Sequence, residues 1–157
     1  MLHYQNFAVR AVIFLAIALI NLMLAVPAIA ATESFELYSD RGYRVETYFS
    51  YDEAEATNNL DSLKVRFYNP DGEMIASYDN IVDSKVRSNY FEFNYDLKTH
   101  QPSGEIDIGG ESAGEIYLKG TMEQGFSLIE VKPTGEEVIM DNGQWTMDSE
   151  LEVSNQS

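Results

Sequence analysis

Three short runs in the middle of the chain alternate between apolar and polar side chains, and this alternation constrains the fold more than any other feature. In residues 90–95, Phe91, Phe93 and Tyr95 fall on one side of a period-two backbone, while Glu92 and Asn94 fall on the other. Ile106 and Ile108 repeat the pattern, and Ile116 with Leu118 repeats it again. The breaks between the runs, Pro102-Ser103-Gly104 and Gly109-Gly110 through to Gly114, carry the residues that tight reversals need. An antiparallel meander follows, with one oily and one wet face, rather than a helical or parallel design.

The same period governs most of the remaining chain. A short strand is expected over residues 35–38, closed by the turn Ser39-Asp40-Arg41-Gly42. The longest strand follows over residues 43–51, where Tyr43, Val45, Thr47, Phe49 and Tyr51 alternate with Arg44, Glu46, Tyr48 and Ser50. Leu63, Val65 and Phe67 mark the next strand, and Asn69-Pro70-Asp71-Gly72 turns it into a hairpin with residues 73–78. Residues 79–88 read as loop with a short extended piece, anchored only by Ile81, Val82 and Val86. Phe126, Leu128 and Val131 indicate a strand without fixing its phase, and Asp141-Asn142-Gly143 predicts a final hairpin between residues 137–140 and 144–147. About ten short strands with no helical periodicity predict an all-β fold: a meandering β-sandwich, with an up-and-down β-barrel as the alternative.

The N-terminal residues have a different character. Arg10 precedes an apolar run over residues 11–26, and Ala28 and Ala30 stand as small residues before polar Thr32, Glu33 and Ser34. This is the layout of a signal peptide over residues 1–30, cleaved near Ala30 or Ala31. The run contains Asn21 and falls short of the ~20 residues of a spanning helix, so no stable membrane insertion is expected after processing. One all-β domain over residues 31–150 and a polar tail over 151–157 complete the expected organisation, placed in the periplasm or outside the cell. The sequence has no cysteine, which removes thiol catalysis, disulfides, Zn-Cys sites and iron-sulfur clusters. Asp plus Glu number 26 against 10 Lys plus Arg, a net charge of -16, which argues against nucleic acid and anionic lipid as partners.

Within the expected mature chain the one histidine, His100, sits in a loop, and no strained nucleophile turn surrounds any serine. Tyr48, Tyr68, Tyr90 and Tyr117 fall on the face opposite the core residues of their strands. There they serve either as cross-strand pairs or as a stacking surface for a carbohydrate or protein partner. Asp52, Glu53, Glu55 and Asp61, with Asn58 and Asn59, place acids and amide oxygens on one connection, a set that suits calcium if the loop is not simply solvated. No other cofactor is indicated. Among so many acids a carboxylate pair across a groove arises readily, so a carbohydrate-active enzyme is one alternative, and a membrane-tethered accessory subunit is another.

Four stretches carry a resemblance: Phe49-Ser50-Tyr51-Asp52, Asn89-Tyr90-Phe91-Glu92-Phe93, Gly104-Glu105-Ile106-Asp107-Ile108-Gly109-Gly110 and Tyr117-Leu118-Lys119-Gly120. Together they resemble exported β-rich hypothetical proteins of cyanobacteria. The resemblance implies a secreted, non-enzymatic domain and brings no activity with it. The expectation is an exported, acidic binding or structural module.

Overall fold

The computed structural model describes residues 30–52, 60–87, 90–96 and 98–148. The apolar leader over residues 1–29, most of the acidic connection (53–59) and the tail over 151–157 lie outside the described residues. The described residues form twelve strands: β1 (Ala30–Ser39), β2 (Arg44–Asp52), β3 (Leu60–Tyr68), β4 (Met74–Val82), β5 (Lys85–Val86), β6 (Tyr95–Asp96), β7 (Gln101–Pro102), β8 (Glu105–Gly109), β9 (Ile116–Thr121), β10 (Gly125–Val131), β11 (Glu137–Asp141) and β12 (Trp145–Asp148). They form a six-stranded sheet in the order β12-β1-β2-β3-β4-β5, a four-stranded sheet β11-β10-β9-β8, and the small ribbon β6-β7. Every pairing is antiparallel, and the two large sheets do not close into a barrel.

The alternating residues build the core as the period requires. Phe35, Leu37, Val45, Phe49, Leu63, Val65 and Phe67 line the inner face of the six-stranded sheet, against Ile106, Ile108, Ile116, Leu118, Phe126 and Leu128 from the four-stranded sheet. In β10, Phe126, Leu128 and Val131 are all buried although their spacing is not uniform. Its register with β11 shifts between Leu128 and Ile129, where β11 carries the extra residue, while its pairing with β9 is regular.

Four expectations require correction. The strand expected over residues 35–38 runs from Ala30 to Ser39, because Glu33 and Ser39 occupy core-facing positions and hide the alternation. Of the residues 79–88 read as loop with a short extended piece, those described (79–87) are mostly strand: β4 continues to Val82, and Asp83 and Ser84, at φ 51° and 59°, turn the chain into β5. The run over residues 90–95 keeps its alternation but joins the four-stranded sheet only through one bridge, Glu92 to Asp107. Its rings replace the missing ladder, with Phe93 and Tyr95 stacked on Phe35 at 6.0 and 6.3 Å.

The final hairpin does not form. β11 pairs with β10, and β12 pairs with β1 in the other sheet, so Asn142-Gly143 is a crossover between sheets. Asp141 determines this outcome: its fully buried carboxylate accepts hydrogen bonds from Ser39 Oγ and from Gly143 N at 3.2 Å, and it pairs with Arg41 at 3.5 Å. The Asp40 backbone N–H donates to Gln144 O at 2.8 Å, and Asp40 Oδ1 lies where a Cβ on Gly143 would stand. An Asn-Gly pair that suits a two-residue hairpin is therefore used as a corner, because a buried carboxylate holds it against the other sheet.

Candidate functional site

β4 passes the end of β8 at one edge of the sandwich, and a single side chain joins them. Asn80, 2% exposed, donates from Nδ2 to Gly109 O at 2.7 Å and accepts from Gly109 N at 3.0 Å. Its carboxamide thus stands in for a peptide group across the gap between the two sheets. The Asn80 backbone carbonyl also accepts from Arg87 N at 2.8 Å.

The adjoining turn, residues 110–115, forms the opposite wall. Gly110 N donates to Ile116 O at 3.0 Å. A Cβ on Gly110 would come within 2.6 Å of both Tyr78 Cε1 and Glu115 Oε2, so glycine is what lets those two side chains meet over the turn. Tyr78 packs edge-on against Phe67 with centroids 5.9 Å apart, and its hydroxyl accepts from Ile116 N at 2.9 Å. Burial pushes the Tyr78 phenol up; the Ile116 N–H works against that shift and the Glu115 charge adds to it. Glu115 Oε2 accepts from Ser112 N at 2.7 Å, which closes the turn.

Between these walls lies a cleft of about 240 Å³. Tyr78, Tyr90, Arg87, Asp79, Glu111 and Glu115 are among the residues that line it. Arg87 has no ion pair among the described residues, whereas Asp79 stands 3.5 Å from Lys64. Burial, together with the neighbouring Asp107 carboxylate, pushes the Glu111 carboxyl up to about 7. The arrangement offers flat apolar faces beside donors and acceptors of both signs, which suits a polar ring-bearing ligand. A second hollow of about 620 Å³, more open, runs along the ends of β3 and β4 past Asp61, and no aromatic ring lines it among the described residues.

The four tyrosines singled out from the sequence lie in three places. Tyr90 is 64% exposed at the cleft. Tyr48 and Tyr68 lie on the outer face of the six-stranded sheet, both donating to Glu46 Oε2, at 3.0 and 2.8 Å. Arg44 lies 4.0 Å over the Tyr68 ring and pairs with Glu46 at 2.7 Å, and Arg66 lies 5.1 Å over the Tyr48 ring. These groups satisfy one another as cross-strand partners. Tyr117 requires correction: it faces away from the core but is 4% exposed, and burial, with the nearby Glu137 and Glu111 charges, pushes its phenol up to about 12.

Of the acids singled out for calcium, Glu53 and Glu55 lie outside the described residues. Asp61 Oδ1 accepts from Ser84 Oγ at 2.8 Å, and Asp52 ends β2. No group of three or more acidic, histidine or cysteine side chains placed to hold a metal occurs among the described residues.

His100 is not a free loop residue. At φ 53° it turns Nδ1 to the buried Glu33 carboxylate at 3.2 Å, which Tyr51 Oη also contacts at 2.6 Å. Burial alone would raise the Glu33 carboxyl; hydrogen bonds from Tyr51, Tyr95 and His100 outweigh it and hold the group below its ordinary range. Burial and the Glu33 contact push Tyr95 up. This cluster ties β1 to the β6–β7 ribbon, and its acceptors face inward rather than into a cleft.

Sequence reasoning missed Tyr78, Asn80, Arg87, Glu111 and Glu115. A signal for them was present in the doubled Gly109-Gly110, more glycine than one reversal needs, and in Asn80 set beside two apolar residues. Compared with known proteins, the chain matches no family model, no curated protein and no solved structure.

Proposed function

We propose that this protein is an exported, non-catalytic binding module whose cleft between β4 and the β8–β9 turn takes a neutral saccharide. One observation carries the proposal: Tyr78 and Tyr90 line one cleft together with several acidic residues and Arg87, which has no ion pair among the described residues. Sugar rings have apolar faces that stack on such rings and hydroxyl rims that need donors and acceptors together. The surrounding acidity favours a neutral ligand over an anionic one. Export is supported by the signal-like layout of residues 1–30.

Isothermal titration against a panel of neutral oligosaccharides tests the proposal. Saturable heat is expected for at least one of them, and Tyr90→Ala is expected to weaken that binding at least tenfold, about the 1.4 kcal/mol of one ring contact. Absence of heat across the panel, or an unchanged affinity in Tyr90→Ala, counts against it.

A second reading, a carbohydrate-active enzyme, is favoured by Glu111, a carboxyl held near neutral pH inside the same cleft as Glu115. Slow release of shorter sugars during the titration, abolished by Glu111→Gln, selects the enzyme over the binding module.

A further inference from the structure

Asp107 sits midway along β8, the edge strand of the four-stranded sheet, on its outer face, and is 6% exposed. Its Oδ2 accepts from Lys119 Nζ at 2.8 Å, but its Oδ1 is buried with no donor among the described residues. A buried carboxylate oxygen left without a donor is costly, and such groups are nearly always satisfied. The Glu111 carboxyl lies within hydrogen-bonding reach of Asp107 and is able to donate only when protonated.

We propose that Glu111 and Asp107 form a proton-sharing carboxyl pair, a binding site for one proton that sets the charge of the cleft wall. The surrounding groups make the proton necessary. Asp107 from β8, Glu111 from the turn after it and Glu137 from β11 set three acids against one ammonium, that of Lys119 from β9, which also pairs with Glu105 at 3.7 Å. Tyr117 from β9 stays neutral beside them. Burial and the adjoining Asp107 charge both disfavour the ionised form of Glu111. With the proton bound, Glu111 presents a neutral carboxyl to the cleft; without it, Glu111 is a carboxylate that only accepts. Only the consequence for a ligand rests on the saccharide reading.

The test uses the ligand-free protein, so its outcome is separate from that of the saccharide titration. In 13C-carboxyl NMR of the whole domain, one glutamate resonance is expected to titrate with a midpoint near 7, to vanish in Glu111→Gln, and to fall towards the ordinary range in Asp107→Asn. The linked stability has a definite sign: a carboxyl raised on folding contributes stability below its unfolded pKa and loses it as pH rises through the folded value. The wild-type Tm is therefore expected to fall between about pH 4.5 and about pH 7, and this fall is expected to be smaller in Glu111→Gln. Titration of every carboxyl in the ordinary range, or persistence of the neutral-range resonance in Glu111→Gln, overturns the proposal.

Discussion

Phe49→Ala is expected to lower the free energy of unfolding by about 3 to 5 kcal/mol, the range for removing a buried phenylalanine from a packed core. Phe49 is 1% exposed on a central strand of the six-stranded sheet. Its ring lies 4.6 Å from that of Tyr95 and 5.4 Å from that of Phe93, both edge-on, and meets Phe35 at 6.4 Å. Its loss opens a cavity and removes the contacts that hold the 90–96 segment where only one backbone bridge joins it to the four-stranded sheet. Urea unfolding measures the effect, with Met74→Ala, at a residue 57% exposed, as the control expected within about 0.5 kcal/mol. Equal losses for the two variants would mean that the ring cluster does not form.

Asp141→Ala is expected to cost about 3 kcal/mol, because it strips a fully buried charged acceptor from Ser39, Gly143 and Arg41. The Arg41 contact contributes little of this, since that side chain is 60% exposed. The larger part comes from the buried Ser39 hydroxyl and the part-buried Gly143 N–H, both left without this partner at the corner between the sheets. If residues 137–147 folded instead as a local hairpin, Asp141 would sit in water and the same change would cost less than about 0.5 kcal/mol. The two outcomes are well separated in a denaturant melt.

These two residues also show where the fold was legible and where it was not. Phe49 belongs to a strand whose period is unbroken from Tyr43 to Tyr51, and β3 is equally plain through Leu63, Val65 and Phe67, since apolar burial is written into every second position. Legibility fails where a polar residue takes a core-side place. Glu33, Asn80 and Asp141 each do so, and each has its partners far away in sequence, at Tyr51 and His100, at Gly109, and at Ser39. Local pattern therefore shortened β1, dissolved the end of β4 and folded the last two strands onto each other. The cleft was hidden for the same reason, since it depends on β4 meeting β8. Of its residues only Tyr90 stood out, as an aromatic opposite the core face, while Tyr78 read as the end of a hairpin strand.

The measurement closest to the central claim is a map of backbone amide shifts in the folded domain during titration with whichever neutral oligosaccharide gives saturable heat. Perturbations are expected to cluster at Arg87, Gly109, Gly110 and Ser112, the backbone around the cleft, with the outer face of the six-stranded sheet unchanged. Perturbations centred instead on Tyr48 and Tyr68 would contradict the assignment, because the ligand would then be bound by the outer tyrosine face and not by the cleft.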